Sequence, residues 1–199
     1  DRVILVTGAT VQHGYLSMLT DVLTPAHMAQ AVAEREEVLV APPLSFGVST
    51  YFAEFPGTIS LSRATFDAAL GEITESLFHQ GFTRFFIFNG FGGNQLPSRL
   101  EDLHMDGAIR LIWYDWWREE AAKQFAQTHQ LQLDHGNWSE NFPFNRMTDV
   151  PADAKPAVNL APTDERQSVR ALLGDGSFGG PYQVDDVLIQ ELFDAIVEE

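Results

Sequence analysis

Apolar residues in this chain follow two rhythms. Val3-Ile4-Leu5-Val6 is a short, largely β-branched run closed by Thr7-Gly8, the pattern of a strand buried on both faces of a parallel sheet. Val38-Leu39-Val40 ahead of Pro42-Pro43, the run from Arg84 to Phe88, and the run from Ile109 to Trp113 repeat it. The second rhythm is helical. The stretch from about Thr24 to Glu36 predicts a helix with Pro25 in its first turn. Phe66, Ala69, Leu70, Ile73 and Leu77 recur at spacings of three and four, so a helix is predicted from about Arg63 to Gln80, ended by Gly81. Further helices are predicted from about Leu96 to Leu103, from Asp115 to Gln127 and from Val184 to Val197. The stretches from Leu44 to Ser60 and from Leu131 to Arg170, broken by glycine and proline, read as loop.

Strand and helix alternate along the chain. That order predicts an α/β fold, a three-layer α/β/α sandwich with a mostly parallel sheet, in one domain over residues 1–199. Ligands of such sheets gather beyond the carboxyl ends of the strands, so the loops after each strand are where chemistry is expected.

Charge and composition narrow the partners. Lys and Arg number 12 against 28 Asp and Glu, a net charge of −16 that argues against nucleic acid and anionic membrane surfaces. With no cysteine, disulfides, thiolate metal sites and thiol nucleophiles are excluded, and any metal must be held by His, Asp and Glu. No apolar run reaches the roughly 18 residues of a membrane helix, and Asp1-Arg2 opens without a signal-peptide pattern. A cytoplasmic protein with a small-molecule substrate is the expectation.

Two glycine loops invite nucleotide readings that fail. Thr7-Gly8-Ala9-Thr10 opens like a dinucleotide fold, but Gln12 stands where a glycine is needed, and no tyrosine has a lysine four residues later. The loop from Asn89 to Asn94 lies between strand and helix but lacks the lysine of a phosphate loop. The loop after the first strand instead holds His13 and Asp21, an imidazole and a carboxylate suited to Zn²⁺ or Mn²⁺.

Four segments then fall into one pattern. Gly8-Ala9-Thr10-Val11-Gln12-His13-Gly14, continued by Thr20-Asp21, resembles the first motif of the creatininase family, Gly-Ser-Thr-Glu-Gln-His-Gly ending in Thr-Asp. Gly47-Val48-Ser49 with Phe55-Pro56-Gly57-Thr58-Ile59-Ser60-Leu61 resembles the second. Asn89-Gly90-Phe91-Gly92-Gly93-Asn94 is similar to the third, Asn-Gly-His-Gly-Gly-Asn, and His135-Gly136-Asn137-Trp138-Ser139-Glu140 to the fourth, His-Ala-Gly-x-x-Glu. The stretch from Gly176 to Pro181 matches a turn before the family's last helix.

The resemblance implies an amidohydrolase, usually a homo-oligomer, with two divalent metals bridged by an aspartate. Asp21 would be that bridge, and His13 and Glu140 would complete one site. The other site should take glutamate at position 11 and histidine at position 91, where this chain has Val11 and Phe91; a further family histidine is Phe52. The expectation is therefore a divergent amide hydrolase with at most one Zn²⁺ or Mn²⁺ on His13, Asp21 and Glu140, or none, acting on a less polar substrate. His135 is a candidate proton shuttle and Gln12 a candidate hydrogen-bond donor. Val11, Phe52, Phe91, Asn94 and Trp138 are candidates for the substrate pocket. The alternatives are metal-free acid/base chemistry of lyase, isomerase or cyclase type, and a non-catalytic small-molecule-binding or partner subunit.

Overall fold

A computed structural model describes residues 1–160 and 168–199. Four parallel strands make the sheet: β1 (Arg2–Thr7), β2 (Leu39–Val40), β3 (Arg84–Asn89) and β4 (Arg110–Asp115), in the order β2-β1-β3-β4. Pairing is in register, with Thr7 opposite Asn89 and Asn89 opposite Asp115, so three polar residues line up at the carboxyl ends. Alternate side chains leave the sheet on opposite faces. Ile4, Val6 and Phe88 pack with Met28 and Ala29 of α1 (Thr20–Glu36), Ala122 of α4 (Glu120–Thr128) and Leu192 of α6 (Asp186–Glu198). Val3, Leu5, Phe85 and Ile87 pack on the other face with Phe66 and Leu70 of α2 (Arg63–His79) and Leu100 of α3 (Ser98–Met105). The result is the expected α/β/α sandwich. A two-stranded ribbon of β5 (Ala154–Lys155) and β6 (Gly180–Pro181) and the short α5 (Val169–Leu173) lie in the stretch after β4. Among the described residues no helix is long and apolar enough to cross a membrane.

Two boundaries differ from the sequence pattern. α1 starts at Thr20, so Pro25 is its sixth residue rather than part of its first turn. A proline there has no N–H to give the Asp21 carbonyl four residues back. That carbonyl lies against Gly8 and Gly90, where a Cβ on either glycine would collide with it. The helix can begin a turn early because those two positions lack side chains. The predicted helix over Asp115–Gln127 is also corrected: Asp115 is the last residue of β4, Trp116–Arg118 is a single 3₁₀ turn, and α4 begins at Glu120. The Asp115 carboxylate accepts from Asn89 Nδ2 at 2.7 Å and Trp113 Nε1 at 2.9 Å, bonds that hold the chain extended to the strand's end. Part of the predicted loop, residues 161–167, lies outside the described residues.

Candidate metal and active site

Three segments bring the site together: the loop after β1, the first turn of α1 and residues 135–140. The first, after β1, carries His13. Its Nδ1 lies 3.0 Å from the Val11 carbonyl oxygen, and because an oxygen only accepts, Nδ1 must carry the proton. Nε2 is then left to face Asp21 Oδ1 at 2.9 Å and Glu140 Oε2 at 3.9 Å. Asp21 sits in the first turn of α1, where the helix dipole favours a carboxylate. Glu140 ends a 3₁₀ turn (Trp138–Glu140) capped by Asn137, whose side chain accepts from the Ser139 N–H, and the Gly136 N–H donates to Glu140 Oε2 at 2.6 Å.

This is a crowded and dry arrangement. His13 is fully buried and Asp21 nearly so, with its Oδ2 buried and unpartnered among the described residues. Burial alone would lower the His13 pKa, but the carboxylates of Asp21 and Glu140 outweigh it and lift the imidazole to about 9. Burial pushes the Glu140 carboxyl up to about 7, helped by Asp21 and opposed by His13 and the Gly136 N–H. Between Nε2 and the two carboxylates a positive charge is required. A proton shared by His13 and Asp21 supplies one; a divalent cation supplies a larger one and also gives Asp21 Oδ2 a partner.

His135 joins the same cluster. Its Nε2 donates to the Gln12 carbonyl at 2.8 Å, which leaves Nδ1 as an acceptor, and its ring lies 4.1 Å from that of His13. Burial and the neighbouring positive charge on His13 hold its pKa well below the ordinary value, so it stays neutral. One ligand atom from each of His13, Asp21, His135 and Glu140 lies within 4.8 Å of the others, a nitrogen and oxygen set that fits one Zn²⁺ or Mn²⁺.

A cavity of about 500 Å³ opens onto Asp21, His135 and Glu140. Phe52 and Phe91 are among its walls, together with Tyr51, Trp116, Trp117 and Phe178. The other candidates are placed elsewhere. Val11 is fully buried in an apolar cluster with Ala9, Phe52, Phe55, Phe91 and Leu173 and does not line the cavity. Asn94 is spent on the scaffold: Oδ1 accepts from Val48 N–H at 3.1 Å, and Nδ2 donates to the Gly8 carbonyl and Asn89 Oδ1. Gln12 Nε2 turns to the Gly14 carbonyl at 3.0 Å, and only the Gln12 backbone oxygen serves the site, through His135. Trp138 is a core residue whose indole N–H donates to the Gln132 carbonyl. Sequence reasoning missed His135 as a fourth donor and Tyr51, Trp117 and Phe178 as walls. The signal for Trp117 was its place just past a strand's carboxyl end.

Behind the His13 loop, Asp175 accepts hydrogen bonds from Lys155 Nζ, from Tyr182 Oη at 2.6 Å and from Ser177 N–H at 3.0 Å. Burial raises its carboxyl, and these bonds outweigh burial and leave the pKa below the ordinary value. The next residue, Gly176, has φ +100 and packs so closely on Gln12 that a Cβ would strike the Gln12 side chain.

Comparison with known proteins fits this geometry. The profile of the creatininase family, described as creatinine amidohydrolase, matches residues 1–199. The chain belongs to the creatininase family. Family members it resembles include the creatinine amidohydrolase of Pseudomonas putida, 27% identical over 98% of this chain and 88% of that one. It is also similar to the mycofactocin precursor peptide peptidase of Mycolicibacterium smegmatis (strain ATCC 700084 / mc(2)155), 34% identical over 46% of this chain and 40% of that one. A solved creatininase described as a manganese form superposes with a TM-score of 0.80 at 24% identity, covering 100% of this chain and 88% of its own. The last match concerns the fold.

Proposed function

We propose that this creatininase-family chain hydrolyses an amide or related C–N bond of a small, weakly polar molecule, with at most one divalent ion held by His13, Asp21 and Glu140. The observation that carries the reading is the buried Asp21 Oδ2, unpartnered among the described residues, within four metal-type donors of which Asp21, His135 and Glu140 line the cavity. The names of the relatives support it, since a creatinine amidohydrolase and a precursor-peptide peptidase both cleave amides, on unlike substrates. A bound Zn²⁺ or Mn²⁺ would polarise a carbonyl and bring the pKa of a bound water to about 7.

The protein's own groups divide the remaining work. Glu140 would hold the ion through its carboxylate; without an ion, its carboxyl, raised by burial to about 7, is matched to taking a proton from water at Oε2 and returning it to the leaving nitrogen. The Gly136 N–H fixes that oxygen's position. His135, neutral and with its Nδ1 free to accept, serves as a further ligand or as an acceptor that orients water, not as an acid. Phe52 and Phe91 keep water and polar groups from the side of the pocket where the family's other metal site would stand.

The 2.9 Å contact between His13 Nε2 and Asp21 favours a second reading, because a shared proton satisfies it as a metal would, leaving acid/base chemistry without an ion. Metal analysis of protein purified without chelator separates the two. One ion per chain is expected, and Glu140→Ala should release it and cost at least about 100-fold in turnover while the fold is retained. Two tightly bound ions would refute the one-site reading, and full activity with none would leave the metal-free one. Unchanged metal and turnover in Glu140→Ala would remove Glu140 from the site.

A further inference from the structure

The charge on the cavity wall selects the substrate further than its apolar character alone does. Among the described residues that line it, Asp21, Asp134 and Glu140 are acidic and none is Lys or Arg. One divalent ion would be balanced by Asp21 and Glu140, which leaves the Asp134 carboxylate as the uncompensated charge. Asp134 is solvent-exposed, and its Oδ1 accepts the His135 N–H at 3.0 Å. The aromatic faces nearby suit a cation as well. Trp117 already carries Arg118, 5.9 Å from its ring centroid and paired with Asp115 at 3.4 Å, so the ring faces offered to a ligand are those of Tyr51, Phe52, Phe91, Trp116 and Phe178. Aromatic rings beside a carboxylate attract an organic cation through the ring quadrupole and direct Coulomb attraction together. An anionic ligand would meet the same carboxylate with no counter-charge, in a chain of net charge −16.

We propose that the site takes amides whose apolar or aromatic body carries an ammonium or other cationic group and rejects anionic ones, with Asp134 as the residue that discriminates. The idea rests on the reading that this cavity is the substrate site, but binding tests it without turnover. Three probes of similar size are titrated against the protein while tryptophan fluorescence is followed: phenyltrimethylammonium, benzyl alcohol and benzenesulfonate. The first cannot ligate a metal, so its affinity reports the wall. The ammonium should bind at least about 10-fold more tightly than the sulfonate, with the alcohol between them. Asp134→Asn keeps an acceptor for the His135 N–H and should weaken the ammonium about 5-fold while leaving the alcohol unchanged. A sulfonate that binds as well as the ammonium would overturn the proposal. So would an unchanged ammonium affinity in Asp134→Asn, or no binding by any probe. Failure to find a hydrolysed amide, with the binding order intact, would sink the hydrolase reading and leave this one standing.

Discussion

Restoring the missing ligands in the double variant Val11→Glu plus Phe91→His tests the site's architecture thermodynamically. Val11 and Phe91 lie in one apolar cluster, with Val11 fully buried and Phe91 7% exposed. Without metal, a carboxylate at position 11 lacks a partner and should cost several kcal/mol if it stays ionised. Losing the Phe91 ring adds about 1–2 kcal/mol of lost apolar burial. The metal-free double variant should therefore be clearly less stable than the parent. A second ion at 100 times its dissociation constant returns about 2.7 kcal/mol. At about 2–4 °C per kcal/mol for a chain of this size, that is a rise of roughly 5–11 °C in melting temperature beyond the parent's own response to metal. Calorimetry with and without saturating Zn²⁺ or Mn²⁺, alongside metal stoichiometry, reads both quantities. Each single variant should show much less, because two protein ligands hold zinc poorly. A folded double variant with no extra ion and no extra thermal shift would show that these positions do not face Asp21 as the family pattern requires.

Three further outcomes follow from the same geometry. Gly90→Ala places a methyl against the rigid Asp21 carbonyl and should cost at least about 1–3 kcal/mol in urea unfolding; a neutral result would mean α1 is free to shift. Asp175, whose pKa is lowered in the fold, adds stability that is present above the unfolded carboxylate value and is lost as the pH falls through the folded one. Asp175→Asn should therefore flatten the loss of stability below about pH 4, and a melting temperature that falls as steeply as the parent's would refute the role of the Lys155 and Tyr182 bonds. Creatinine should not be turned over appreciably, because its polar atoms would meet Phe52 and Phe91 at a cost of about 1–3 kcal/mol for each one left unpaired; saturable hydrolysis in a steady-state assay would contradict this.

How much of this was legible in the sequence depended on how local the cause was. β1 and β3 were placed within a residue because a strand buried on both faces must be apolar throughout, a property of the strand itself. The start of α1 was misread because Pro25 is tolerated at its sixth position only where Gly8 and Gly90, distant in sequence, make room for the Asp21 carbonyl. Asp115 was read as a helix start because its partner Asn89 is brought opposite it only by the pairing of β3 with β4. The motifs brought out His13, Asp21 and Glu140 in order, and the structure sets their atoms together. They did not reveal His135 as a donor, since which of its nitrogens is free depends on a hydrogen bond to the backbone of Gln12. The aromatic walls come from loops, which carry no periodicity to read.

The way Asp21 is seated also bears on how the site comes into being and fails. Its carbonyl is confined by Gly8 after the first strand and Gly90 after the third, and its side chain faces His13, which in turn faces Glu140. A fragment ending before β3 would contain His13 and Asp21 and yet lack Gly90, His135 and Glu140. Only the whole fold brings His13, Asp21, His135 and Glu140 together, so on the reading proposed above nascent chains and partly unfolded molecules would lack the complete donor set. Bringing together groups more than a hundred residues apart carries a loop-closure cost that local elements do not, so the site depends on the integrity of the fold more than any single helix or strand does.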